Sequence, residues 1–148
     1  MKEALNLAWA AGFFDGEGCI RINKARRKEG RTTYNLQIFV RQVDPKPIYK
    51  LRDLFGFGAI SYRERSVDSN PNARAIYTWS TAGPKAIEVL TALYPFLVTK
   101  SEQAEIAFEF QSTINQNGKK LTPEQVEYRE SVFQKIKDLK WQVFSNPA

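Results

Sequence analysis

Two stretches of apolar–polar alternation constrain this chain more than any other feature. Ile20 and Ile22 alternate with Arg21 and Asn23, and Leu36, Ile38 and Val40 alternate with Asn35, Gln37, Phe39 and Arg41. A period of two sends successive side chains to opposite faces, so each stretch predicts a strand with one buried and one open face. Between them, Arg26-Arg27-Lys28-Glu29-Gly30-Arg31 reads as a hairpin tip. A second pair follows, in which Ser61, Arg63 and Arg65 alternate with Ile60 and Tyr62. After a loop at Asp68-Ser69-Asn70-Pro71-Asn72, a strand from Arg74 to Ser80 puts Ala75, Tyr77 and Trp79 on one face.

Helical patterns separate these hairpins. Residues 3–15 are rich in Ala and Leu and run into Asp15-Gly16-Glu17-Gly18, where two glycines stop a helix. Asp44-Pro45 is an N-cap before a proline at the first helical position, and Ile48, Leu51, Leu54 and Phe55 form an apolar stripe ending at Gly56. Pro84 opens a third helix with Ile87, Leu90 and Leu93 inward, and Pro95 closes it. The rest is helical: Thr99 with Glu102 and Thr122 with Gln125 have capping-box spacing, and Asn117-Gly118 separates the helices they start. The expected fold is α+β, an αββαββα core over residues 1–117 with a four-stranded antiparallel sheet, then a helical tail over 118–148. At 148 residues this is one domain.

The open sheet face collects Arg21, Asn23, Arg27, Asn35, Gln37, Arg41, Ser61, Arg63, Arg65 and Arg74. Arginine and amide side chains make bidentate bonds to guanine and adenine edges. Charge points the same way. The chain carries a net +6, and residues 19–74 alone carry +8, from thirteen Lys/Arg against five Asp/Glu. Basic charge confined to one part of a fold marks a polyanion partner, most often nucleic acid. Strands of about nine residues at ~3.3 Å each span about 30 Å, or eight to nine base pairs at ~3.4 Å. Lys24, Arg26, Lys28 and Arg31 fall where phosphate contact is expected.

Absent residues narrow the chemistry. There is no histidine, which excludes Ser-His-Asp and Cys-His hydrolases, zinc fingers and nucleases with a histidine base. The single Cys19 can form neither an internal disulfide nor a cysteine-rich metal site, and reads as a small buried residue. Carboxylates, lysines and a hard oxygen-bound ion such as Mg²⁺ remain. No apolar run reaches the ~20 residues of a membrane span, and acids at Glu3, Asp15 and Glu17 argue against a signal peptide. The expectation is a cytoplasmic or organellar protein that is not secreted and has no membrane partner. Trp9, Trp79 and Trp141 read as packing groups, and Lys119-Lys120 as a solvated loop or a backbone contact.

The run Trp9-Ala10-Ala11-Gly12-Phe13-Phe14-Asp15-Gly16-Glu17-Gly18-Cys19-Ile20 resembles the signature of the LAGLIDADG homing endonucleases. Val40-Arg41-Gln42-Val43-Asp44, Leu54-Phe55-Gly56-Phe57-Gly58, and the segment from Tyr94-Pro95-Phe96-Leu97 to Lys100-Ser101-Glu102-Gln103-Ala104 are similar to further family stretches, in the family's order. The resemblance implies motif helices that pack at a two-fold axis through Ala8, Ala11, Gly12 and Asp15. One motif per chain then implies a homodimer, with two sheets forming a saddle over double-stranded DNA and a near-palindromic site about twice the length estimated above.

For the site, the resemblance implies Glu17 as metal-binding carboxylate, with the Gly16 carbonyl completing the shell around Mg²⁺; Mn²⁺ or Ca²⁺ could occupy the same place. It implies Gln42 as the residue ordering active-site water and Lys100 as the cation beside the phosphate, and Asp15 as a capping or interface residue. The open-face residues would then read bases, with Phe39 against a thymine methyl. Lys46, four residues past Gln42, stands where some members carry another base. The implied activity is double-strand cleavage with metal-activated water, leaving 3′ overhangs, by an intron-encoded enzyme with possible intron RNA binding. An RNA-splicing maturase, a non-catalytic DNA-binding regulator of the same fold and a basic structural protein without sequence preference are the competing readings.

Overall fold

The computed structural model describes residues 1–64, 74–114 and 121–145, the last five as backbone only. Its elements run α1 (Lys2–Glu17), β1 (Gly18–Arg26), β2 (Thr32–Gln42), α2 (Pro45–Phe55), β3 (Ala59–Arg63), β4 (Ile76–Ala82), α3 (Gly83–Leu93), a 3₁₀ turn (Tyr94–Phe96), α4 (Ser101–Ser112) and α5 (Pro123–Ser145). The strands form one antiparallel sheet in the order β1-β2-β4-β3, so the αββαββα expectation holds. Arg65, the loop at 68–72, Asn117-Gly118, Lys119-Lys120 and the Trp141 side chain lie outside the described residues.

Alternation decides which face is covered. Ile20, Ile22, Leu36, Ile38 and Val40 are at most 3 % exposed and pack beneath the helices with Trp79, while Arg21, Asn35, Gln37 and Arg41 point away. The core draws Phe14 from α1, Ile48 and Leu51 from α2, Leu90 and Leu93 from α3, and Phe110 from α4. In α3 the fully buried positions include Ala86 and Val89, and Ile87 is only half-buried, a rotation of the inward face from the one expected. The tail is not an appendage: Val132 and Ile136 of α5 join the same core.

Several local expectations shift. Strand β4 starts two residues after Arg74, which is exposed and off the sheet, and Arg27 lies in the β1–β2 tip, its N–H on the Arg31 carbonyl. Helix α1 continues through Gly16 to Glu17, because Gly18 makes the break. A Cβ at Gly18 would fall 2.4 Å from the Phe14 ring, so only glycine permits this tight helix-to-strand passage. Gly58, at φ +107°, likewise lets the backbone lie against Trp79, whose Nε1 donates to the Phe57 carbonyl. The Thr122–Gln125 capping box forms reciprocally. That of Thr99 and Glu102 does not: α4 is capped at Lys100, without a side-chain cap from its own segment.

Lys24 is also placed differently from expectation. It lies on the helix-covered face, where its Nζ pairs at 2.8 Å with Glu130 of α5, and Glu130 also accepts from Tyr34 Oη. This lysine is a clamp between sheet and tail, not a phosphate contact. Lys24 and Tyr34 together hold the Glu130 carboxyl below its ordinary range. Burial, then Glu130, pushes the Tyr34 phenol up to about 12.

Candidate nucleic-acid interface and active site

The open face is ordered by its own side chains. Strand register sets Arg21 opposite Gln37, and Gln37 Oε1 accepts from Arg21 Nε (2.9 Å), Arg21 Nη2 (2.7 Å) and Asn23 Nδ2 (2.9 Å). Phe39, the one aromatic residue on this polar face of β2, stands between the guanidinium groups of Arg21 and Arg41, at 4.8 and 4.6 Å from its ring centroid. Cation–π contact of this kind favours a flat guanidinium over the ring. Phe39 is thus a platform that presents two arginines.

Arg21, Gln37, Phe39, Arg41, Ser61 and Arg63 line a depression of about 300 Å³ with Ile76, Thr78 and Ser80 of β4. The last three were not anticipated. They alternate with Tyr77 and Trp79, so periodicity alone could have placed them, but they lack the arginine and amide chemistry that marked the others. Because Gln37 is the shared acceptor for Arg21 and Asn23, Gln37→Ala is expected to release both donors. The expected result is discrimination at the contacted base pairs weakened by about 1–3 kcal/mol, with non-specific affinity kept. Competition binding with single-base-substituted duplexes measures this.

A second cluster gathers where α1 meets β1. Glu17 is exposed at the helix end, and the next residue, Gly18, pairs with Val40, which places Gln42 at the same end of the sheet. Gln42 Oε1 accepts from the Val43 N–H, leaving the amide NH₂ as donor. Asp15 turns away from the exposed side of α1. Its carboxylate accepts from the Val98 N–H (2.8 Å) and the Lys100 N–H (3.0 Å), and its carbonyl accepts from Lys100 Nζ (2.6 Å). The Asp15 side chain therefore caps the approach to α4 from outside, the task expected of Thr99. Burial pushes the Lys100 ammonium below the ordinary lysine range, and neighbouring Asp15, Cys19 and Glu17 work against that shift.

Cys19 is half-buried on the open face, not in the core, with Sγ 3.0 Å from Lys140 Nζ. Lys46 is exposed in the first turn of α2, its N–H bonded to Asp44 Oδ1. Trp9 stacks on Phe13 and carries Lys50 over its ring.

Among the described residues no group of three His, Cys, Asp or Glu side chains could hold a metal ion. The donor set at the end of α1 is nevertheless of the right kind. A carboxylate and helix-terminal carbonyls are hard oxygen ligands suited to Mg²⁺ or Ca²⁺. The Phe14 and Asp15 carbonyls are taken by the Gly18 N–H and Lys100 Nζ. Glu17 and the Gly16 carbonyl are the donors that fit, and one chain supplies too few of them alone.

On α1, Ala8 and Gly12 are exposed together with Leu5 at 66 %, and a Cβ at Gly12 or Gly16 would meet nothing within 4 Å. Ala11 does not share that face. It is fully buried against the chain's own core, beside Ala10 and Phe14, and is not open to a second copy.

A family model described as LAGLIDADG endonuclease matches residues 10–81, from the motif helix through β4. Over those residues the chain matches the LAGLIDADG family. Solved structures agree in fold. The homing endonuclease I-CvuI, in complex with its target in the presence of calcium, superposes with a TM-score of 0.75 at 19% identity, covering 93% of this chain and 83% of that one. The archaeal intron-encoded homing endonuclease I-Vdi141I, complexed with DNA, gives 0.74 at 17% identity over 93% and 85%. The meganuclease I-SmaMI, bound to uncleavable DNA, gives 0.67 at 18% identity over 86% of this chain but 43% of its own. A search of curated proteins finds no match.

Proposed function

We propose that this protein is a homodimeric, divalent-metal-dependent endonuclease of the LAGLIDADG family that cuts double-stranded DNA at one long, near-palindromic site and leaves 3′ overhangs. The observation that carries this reading is the Asp15 clamp. It fastens Lys100 to the end of α1, beside Glu17 and at the Gln42 end of a sheet whose open face is arginine- and amide-rich. A cation, a carboxylate and an amide at the rim of a DNA-reading surface are what phosphodiester hydrolysis without histidine requires.

Each residue has a task in that reaction. Glu17 and the Gly16 carbonyl would hold the divalent ion. Mg²⁺ bound there supplies Lewis acidity toward the phosphate and the attacking water. Gln42 orients that water through its free NH₂, and Lys100 counters the charge that builds on the phosphorane. Dimerisation supplies the carboxylate that one chain lacks. Two exposed glycines, at which an added Cβ would meet nothing within 4 Å among the described residues, suit close helix–helix contact through Ala8 and Gly12. The comparison lengths agree: the chain spans 83% of I-CvuI but 43% of I-SmaMI, as one of two equivalent halves would.

The test is to incubate the protein and Mg²⁺ with a randomised duplex library and sequence the cut ends. Cuts should concentrate at one near-palindromic sequence about 16–18 base pairs long, twice a single sheet's reach along the groove. Equal affinity for all duplexes across a salt series, with no cutting, would leave a non-specific DNA-binding protein instead.

A further inference from the structure

Helix α5 brings a second ammonium group to the Glu17 end of α1. Lys140 Nζ lies 3.0 Å from Cys19 Sγ, and Cys19 is two residues past Glu17, on the open face with Arg21. The position is electrostatically costly. Lys140 is close enough to Lys100 that its charge adds to the burial that lowers the Lys100 pKa, and a thiol is a weak acceptor for an ammonium. Docking of α5 does not need the contact, because Val132, Ile136 and the Glu130 bonds to Lys24 and Tyr34 already hold the helix. Alongside β1, Arg21, Lys137 and Lys140 line a groove of about 310 Å³ together with Lys24, whose charge is already paired with Glu130, and no acidic side chain is among the groove's described lining. Cations gathered at such a cost call for an anion between them.

We propose that Lys140 donates to a non-bridging oxygen of the DNA phosphodiester at or next to the scissile bond, which makes α5 part of the cleavage site. This rests on the endonuclease reading above. Lys140 transfers no proton; it contributes charge and position. In single-turnover cleavage of the preferred duplex at saturating protein, Lys140→Ala should be about 10–100-fold slower. Its plot of log Kd against log salt should be shallower by about 0.9 per subunit, the value of one phosphate contact. Lys140→Arg should restore the slope and most of the rate, with melting temperatures unchanged. A Lys140→Ala rate within twofold of wild type, with the same slope, overturns the proposal. So does a rate loss with unchanged slope that Lys140→Met repairs, because that assigns the side chain to packing. Absence of cutting by the wild type would instead sink the endonuclease reading.

Discussion

Glu17→Gln is expected to slow cleavage by at least about 1000-fold while leaving affinity for the target within a few-fold of wild type. The loss corresponds to about 4 kcal/mol of transition-state stabilisation. The substitution keeps the shape of the side chain and removes its charge. Glu17 is exposed, at the helix end, and forms no ion pair among the described residues, so folding has little to lose; surface changes of this kind fall within about ±0.5 kcal/mol. In the proposed complex DNA binding would rest on the open face and its phosphate contacts, and removing an acid beside the DNA backbone should not weaken it. Divalent-ion binding is what suffers, because a neutral amide is a poor ligand where two Glu17 copies would otherwise supply the negative charge. Mg²⁺-dependent cutting and fluorescence anisotropy on one labelled duplex separate the two effects. Wild-type turnover by Glu17→Gln would remove Glu17 from the site.

What could be read from the sequence follows from the range of the interaction responsible. The sheet was legible because its signal is local: Ile20, Ile22, Leu36, Ile38 and Val40 alternate with polar neighbours, and every one is buried. The burial of Ala11 was not legible, since alanine fits a core and a helix–helix contact equally well and only the packing of Phe14 and Ala10 decides between them. The β4 share of the open face, Ile76, Thr78 and Ser80, was hidden because the face had been recognised by guanidinium and amide groups. Alternation along β1 itself sets Lys24 on the face of Ile20 and Ile22 and Cys19 on that of Arg21; what no local signal carries is their partners, Glu130 and Lys140 of α5, more than a hundred residues away in sequence. The same holds for Thr99, whose capping spacing is correct locally but whose role is taken by Asp15 from the other end of the core.

That substitution of caps makes Asp15 the residue where folding and chemistry are coupled. Asp15→Ala strands the N–H groups of Val98 and Lys100, which donate to a charged carboxylate at the entry to α4. Hydrogen bonds to charged groups are worth about 1.5–3 kcal/mol each, less here because the Val98 side is exposed, so a loss of about 2–3 kcal/mol is expected. The Lys100 ammonium also loses a counter-charge at a helix N-terminus, where the helix dipole already disfavours a cation. The Asp15 carbonyl still accepts from Nζ, but the segment carrying Lys100 is no longer fixed to α1. A displacement of about 1 Å at a catalytic group can cost about 100-fold in rate. Asp15→Ala should therefore lower both the melting temperature and the cleavage rate, the latter about 100-fold even well below the new melting temperature. Asp15→Asn keeps one acceptor oxygen in the same place and should fall between the two. The comparison distinguishes a clamp from a metal ligand. If Asp15 bound the ion directly, Asn would be as inactive as Ala yet fully stable; as a clamp, its rate and its stability should recover together.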